Sequence, residues 1–578
     1  MARLALSLLL LYVPIAQAAS PPAPAGNTVA HIKLSGSFSE QAPASDPLGS
    51  SLIETLKQKL DRLKKAAADK EVHSILLEVN GVSAGWGQVH EVAAAISRAR
   101  ASGKKVHAFL ESGDLKDYAI ALACDDIALP EASWLMLTGL RAEVTFYKKL
   151  LEMAGVKADF VMMGDFKSAA EPYLRDSLSE ANRKQITEML DDFFENEVVG
   201  RIARGRKLSP DKVKKLIDQG PYSARSALKN GLVDRLYDME DLVTHLKKNG
   251  TGAPHKLVRD YGKKKEEEMS VATLYSRLLF GGSGIKFKSK DPKVAVIYAT
   301  GSIVTGKGGS SLFGGESMGS ETMVKAIREA AEDSTVKAIV LRIDSPGGSA
   351  LASDLMWREL KRCKKPVIAS MGDVAASGGY YIAMAANKIY AEPGTITGSI
   401  GVIGGKLAMK GLWDKVGITS EVISRGENAG IFSDEPFTEG QKKAFKTMME
   451  DIYDQFVDKA LAGRKGAGKK MDRDTLLKLA GGRVWTGRQA KQNGLIDELG
   501  TLEDAIAEAA RRGGLPEGKE PELLLLPKSK GFLDNLLGNL GAAAMIPEVS
   551  AKVRAALPLL ELRREPVWAI SPFVVDVK

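Results

Sequence analysis

Apolar positions along the chain alternate between two periods. Residues 50–68 place Leu52, Ile53, Leu56, Leu60 and Leu63 at the spacing of an amphipathic helix. A short strand is expected over 28–34, a buried strand over Val72 to Val79, a helix over 88–102 and a strand over Val106 to Leu110. The same order returns later as strand 293–299, helix 320–332, strand 337–343, helix 350–362 and strand 366–370. Strands alternating with helices predict an α/β fold with a mainly parallel sheet flanked by helices.

The recurrence extends to residue identity. Tyr118-Ala-Ile-Ala-Leu-Ala-Cys-Asp-Asp-Ile127 aligns with Tyr380-Tyr-Ile-Ala-Met-Ala-Ala-Asn-Lys-Ile389 at an offset of 262. Ala227-Leu-Lys-Asn-Gly-Leu-Val-Asp234 aligns with Ala490-Lys-Gln-Asn-Gly-Leu-Ile-Asp497 at 263. A period this long marks a duplicated domain rather than a solenoid unit. The expected plan is a first repeat over 19–260, a linker over 261–290, a second repeat over 291–512, and a tail over 513–578 to which the sequence assigns no role. The linker carries the charge block Lys263–Glu268, the flexible Gly281-Gly-Ser-Gly284 and a short candidate docking helix at 270–280. The tail holds an apolar run, Leu523 to Leu526, and an amphipathic stretch, Leu533 to Met545.

Composition adds limits. The chain has 578 residues, 44% hydrophobic and 26% charged, which fits a globular protein of several domains. The net charge of +9 is a mild bias without a basic stripe and interleaved aromatics, so no nucleic-acid partner is expected. A basic surface facing anionic lipid is compatible with it. Met1-Ala-Arg3, an apolar run from Leu4 to Ile15 and Ala16-Gln-Ala18 read as a secretory signal peptide over 1–18, with a retained anchor as the alternative. Two cysteines, Cys124 and Cys363, imply no disulfide framework, and Cys124 falls in an apolar helical pattern as a small hydrophobe.

The chemically useful residues diverge between the copies. Ser377, in Ala375-Ala-Ser-Gly-Gly-Tyr-Tyr381, corresponds to Leu115 in the first copy. Lys167, in Gly164-Asp-Phe-Lys-Ser-Ala-Ala-Glu-Pro172, has no lysine counterpart in Gly426 to Pro436. Each copy keeps one half of a Ser/Lys pair. All six histidines lie at or before residue 255, which rules out a Ser-His-Asp triad within the second copy. A lysine can replace histidine as the base if its pKa falls from about 10.4 towards 7–8, and burial supplies such a shift. The apolar strand Phe160–Met163 leads into the Lys167 turn; a surface lysine paired with Asp165 or Glu171 is the ordinary alternative.

Ser377 precedes a helical pattern, which puts its hydroxyl and the next amides at a helix start, a position also common for a plain N-cap serine. Asp344-Ser-Pro-Gly-Gly-Ser349 joins a strand to a helix, and its glycines allow a turn with exposed N–H groups able to hold an oxyanion. A plain strand–helix turn is the other reading. The first copy has Asn80-Gly-Val-Ser-Ala-Gly85 there, a poorer donor turn. Gly315-Glu-Ser-Met-Gly319 matches a nucleophile elbow, but no histidine follows it, and Ser320 is expected to cap the next helix. No clustered metal ligands and no cofactor motif occur.

Together these motifs, with Gly398-Ser-Ile-Gly-Val402, resemble the signal peptide peptidase A (protease IV) family in its long duplicated form, over roughly residues 28–510. The resemblance implies two tandem repeats of a Clp/crotonase-like fold. It implies a serine endopeptidase that degrades cleaved signal peptides at the periplasmic face of the inner membrane, assembled as a bowl-shaped homotetramer. It assigns Ser377 as nucleophile, Lys167 as general base and Ser399 as the residue orienting the lysine. Gly378 and Gly347 become the oxyanion donors, with Gly348 the alternative to Gly347. Two other classes remain: a crotonase-like acyl-CoA enzyme, against which an export signal argues, and a non-catalytic peptide-binding scaffold.

Overall fold

The computed structural model describes residues 26–41, 54–248, 254–263, 289–310, 316–528 and 567–570. The expected signal peptide, the 270–280 docking helix and the 533–545 stretch lie outside them. The first amphipathic helix runs Leu56–Ala68 behind a capping box of Thr55 and Gln58, and it buries Leu56, Leu63 and Ala66. Leu52 and Ile53 lie outside the described residues. The helices Ser320–Glu332 and Ala350–Arg362 fall where the periodicity puts them. Ser320 is the first helical residue and not the cap: Gly319 holds that place, with no side-chain cap bond.

Both repeats share a six-stranded parallel arrangement, which the second extends with Ile396–Gly398, parallel to Val367–Ala376, and Val484–Thr486, antiparallel to Ile396–Gly398. In the first, six parallel strands run in the order Arg235–Leu236, Asp126–Leu129, Lys105–Phe109, Val72–Ser83, Thr28–Ser37, Lys256–Val258. In the second, Glu498–Leu499, Lys388–Ala391, Val367–Ala376, Val336–Ser345, Lys293–Thr300 and Glu522–Leu526 follow the same order, again parallel. The apolar run Leu523 to Leu526 thus edges the second sheet as Lys256–Val258 edges the first. Equivalent polar contacts recur inside both lobes. The Tyr118 hydroxyl donates to the Leu232 carbonyl at 2.7 Å, and that of Tyr380 to Leu495 at 2.8 Å. Asp234 accepts the Ile127 amide, and Asp497 that of Ile389.

A third sheet ties the lobes together. Strand Lys157–Met162 of the first repeat pairs antiparallel with Ile403–Ala408 of the second, from Met162 opposite Ile403 to Lys157 opposite Ala408. The lobes also share a buried polar seam. The Arg342 guanidinium, wholly buried in the second repeat, binds Glu40 at 2.7 and 2.9 Å and Glu91 at 2.7 Å, both from the first. Asp373 accepts the Gly85 and Gln88 amides at the start of helix Trp86–Ala101. Burial, with nearby Asp373 and Glu40, pushes the Asp344 carboxyl up to about 8, and burial pushes Asp373 up to about 6. Among the described residues no helix is long and apolar enough to cross a membrane.

Candidate active site

Ser377 stands where strand Val367–Ala376 ends and helix Gly378–Ala383 begins. Its backbone is held at φ +54°, ψ −111°, and its side chain makes no capping bond. A non-glycine residue there carries on the order of 1–3 kcal/mol of strain, sustained by its surroundings. The Ser377 amide donates to the Gly398 carbonyl, and the Tyr381 amide to the Ser377 carbonyl. The matching helix of the first repeat, Leu115–Ala121, starts without strain. Asp114 sits at φ −80° and its carboxylate accepts the Lys116 and Asp117 amides. The two helix starts therefore differ in kind: one is an ordinary cap, the other a strained presentation of a hydroxyl.

Lys167 reaches Ser377 because the first repeat's chain threads between two loops of the second. After the shared strand, Met163 donates to Val402 and Phe166 to Gly481 through backbone amides. At Gly482, with φ +84°, an added Cβ would lie 2.5 Å from the Lys167 Cα and N. Only glycine admits this approach. The Lys167 amine then lies 2.8 Å from Ser377 Oγ, 3.0 Å from Ser399 Oγ and 3.2 Å from the Ser399 carbonyl. Lys167, Ser377 and Ser399 are buried. Burial alone drives the lysine pKa well below its ordinary value. The expected alternative of a surface lysine paired with Asp165 or Glu171 does not hold: Glu171 instead accepts Asn182 and the Ser179 amide.

A carbonyl only accepts, so one amine proton goes to Ser399 O. A neutral amine can give its second proton to Ser399 Oγ and turn its lone pair to the Ser377 hydroxyl. Among the described residues, the further contact of Ser377 Oγ is with the Gly401 carbonyl, at 3.5 Å. Ser399, like Ser377, has positive φ, at +51°.

Two amide-bearing glycines adjoin this pair. A Cβ on Gly378 would lie 3.1 Å from the Gly347 Cα, so the two backbones nearly touch. The Gly347 amide makes a 3.2 Å bond to Ser345 Oγ, which itself donates to the Gly301 carbonyl. Gly348 faces Ile303 instead. In the first repeat the corresponding turn is filled. The Gly81 and Val82 amides donate to the buried Asp117 carboxylate at 2.8 and 2.9 Å.

No histidine joins the site. His90 does cross between repeats, but to Glu392, and His31 and His107 pair with Glu78 and Asp126. Ser317 of the apparent elbow lies in strand Glu316–Gly319, and its hydroxyl is bonded to Gly309. Sequence reasoning missed Gly482, Gly401, Asp117 and the tail strand Val567–Ile570. That strand had one signal, a β-prone tetrapeptide bounded by Pro566 and Pro572.

Two duplicated α/β lobes meeting over a desolvated lysine and a strained serine define a serine peptidase. The chain belongs to peptidase family S49, which matches residues 98–252 and 359–515, one stretch in each repeat. It is 34% identical over 523 residues to the chloroplastic serine protease SPPA of Arabidopsis thaliana, covering 90% of this chain and 74% of that one. Protease 4 of Salmonella typhi is 30% identical, covering 86% of this chain and 78% of its own. Protease 4 of Haemophilus influenzae is 29% identical, covering 77% and 71%.

Proposed function

We propose that this serine protease is an endopeptidase with a Ser/Lys dyad assembled from both repeats, acting on cleaved signal peptides and other extended apolar peptides. One observation carries the reading: the Lys167 amine of the first repeat lies 2.8 Å from the Ser377 hydroxyl of the second, with both groups buried. Ser377 Oγ attacks the peptide carbonyl carbon while neutral Lys167 takes the hydroxyl proton. The Gly347 and Gly378 amides receive the oxyanion; the closeness of these two glycines favours Gly347 over Gly348. Lys167 then protonates the leaving amine. Water attacks the resulting ester while Lys167 takes its proton; the C–Oγ bond then breaks, Lys167 returns the proton to Ser377 Oγ, and the acid product leaves. Ser399 positions the lysine.

The repeats are read as 19–260 and 291–512, joined by 261–290, with 1–18 a signal peptide and 513–578 a tail whose strand Glu522–Leu526 completes the edge of the second repeat's sheet. The chain acts outside the cytoplasm, in the periplasm or at the periplasmic face of the inner membrane. It works as a homotetramer, as the family resemblance implies. Leu150, Met153, Val416, Ile418, Val422 and Ile423 are each more than half exposed and offer an apolar face to another copy.

Hydrolysis of an internally quenched apolar peptide tests the reading. Wild-type protein cleaves it. Ser377→Ala and Lys167→Ala keep the fold and lose cleavage. Activity retained in either variant defeats the assignment.

A further inference from the structure

Beyond residue 528, the described chain consists of Val567–Ile570, and this short strand lies at the candidate site. It fits between Gly347–Ser349 and Ile403–Ala408, antiparallel to both. On one edge Gly347, Gly348 and Ser349 face Ile570, Ala569 and Trp568. On the other, Ile403 and Gly404 face Trp568 and Val567. These neighbours carry the machinery. Gly347 adjoins Gly378, and Ile403–Ala408 pairs on its far side with the strand that delivers Lys167. The strand direction brings Ile570 level with Gly347, so the chain runs towards the amides beside Ser377. The side chain of Val567 is buried in the second repeat's core. Ser377 itself is fully buried, although a peptide carbonyl must reach it.

An extended peptide held by main-chain bonds on both edges is the way proteins bind unstructured chains through β-strand addition. Four residues of the protein's own tail hold that place here. We propose that Val567–Ile570 is an intramolecular pseudosubstrate: it occupies the groove that receives the residues preceding a scissile bond, and it must leave before substrate enters. The inference rests on the Ser/Lys reading for the identity of the groove, and on the strand pairing for its occupancy. Tethering favours the tail, because a covalently linked segment competes at an effective concentration of the order of millimolar. The expected occupants of the vacated groove are extended segments that, like Val-Trp-Ala-Ile, are apolar and able to form a strand.

Binding tests this without relying on catalysis. A fluorescein-labelled peptide of residues 565–571 is titrated by anisotropy into three full-fold proteins carrying Ser377→Ala. One has the intact tail, one ends at residue 528, and one carries Ala569→Pro, which removes an amide from the tail strand. If the tail is seated for at least nine-tenths of the time, truncation tightens the apparent Kd at least about tenfold. Ala569→Pro shifts it in the same direction. Equal affinity for all three proteins, or no binding to the truncated one, overturns the proposal. In active protein, truncation lowers KM for the quenched peptide with kcat unchanged, and the 565–571 peptide inhibits competitively. Loss of cleavage in all forms, with the anisotropy shift intact, would sink the Ser/Lys reading while upholding the tail's occupancy of a peptide-binding groove.

Discussion

Replacing Gly482 by alanine separates the two demands that this position meets. The first is conformational. Gly482 has φ +84°, and an alanine there costs about 1–2 kcal/mol of strain. The second is contact. The new Cβ would lie 2.5 Å from the Lys167 Cα and N, where ordinary van der Waals contact begins at 3.4 Å. Lys167 must therefore retreat by roughly 1 Å, and displacement of that size from a near-attack arrangement costs about a hundredfold in rate, or about 2.7 kcal/mol. Gly481 is the internal control. It also has positive φ, at +66°, but its nearest neighbour to an added Cβ is the Gly164 Cα at 3.7 Å. Gly481→Ala should therefore lower the thermal midpoint while keeping kcat/KM within a few-fold of wild type. Gly482→Ala should lower the midpoint and lose about a hundredfold in kcat/KM. Equal activity losses in the two variants would refute the claim that backbone clearance at Gly482 sets the position of Lys167.

Other outcomes follow from the same geometry. Lys167→Met should abolish hydrolysis while raising stability near neutral pH, because it removes a buried amine that is protonated in the unfolded chain; thermal melts beside peptide assays check both. As the proposed base, Lys167 must be neutral, and burial lowers its pKa; on that reading kcat/KM should fall as pH drops through the lowered value, tracing an acid limb well below the ordinary lysine range. Ser399→Ala should reduce kcat about tenfold or more with KM little changed and shift that limb, as expected for a group that positions the amine. Asp344 and Asp373 have raised pKa values, so the native state holds protons that the unfolded chain has released above about pH 4. Their stabilising contribution is present in acid and is lost as pH rises through about 6 for Asp373 and about 8 for Asp344. Asp344→Asn should flatten the fall in thermal midpoint between about pH 4 and 8 and raise it at the alkaline end; an unchanged pH slope would contradict this. Arg342→Met should destabilise by about 3–5 kcal/mol, because Glu40 and Glu91 would stay buried without their cation.

The duplicated α/β plan was readable because apolar periodicity and local identity recur together, and both sheets then form in the same strand order. Lys167 and Ser377 stood out as candidates for a different reason: the copies diverged at those positions while keeping the surrounding frame, and the fold brings the two side chains within 2.8 Å. What the sequence hid lies in contacts between distant segments. Nothing local marks Gly482 as the floor under Lys167, since its role is set by a residue more than three hundred positions away. The filling of the first repeat's turn by Asp117 was equally invisible, because it depends on a helix returning to that turn. Ser320 looked like a cap by residue type, but the strand entering that helix makes Gly319 the boundary and leaves the serine inside the first turn. The tail strand has too few residues to show a period, and its place is defined by the two edges that receive it.

The central claim is that one repeat supplies the base for the other's nucleophile, and covalent labelling tests it most directly. The intact protein is treated with a serine-acylating probe, digested, and mapped by mass spectrometry across a pH series. The account predicts acylation at Ser377, rising with pH as Lys167 loses its proton, and absent in folded Lys167→Met protein. Undiminished labelling of Ser377 in that variant, or acylation at a different serine, would contradict it.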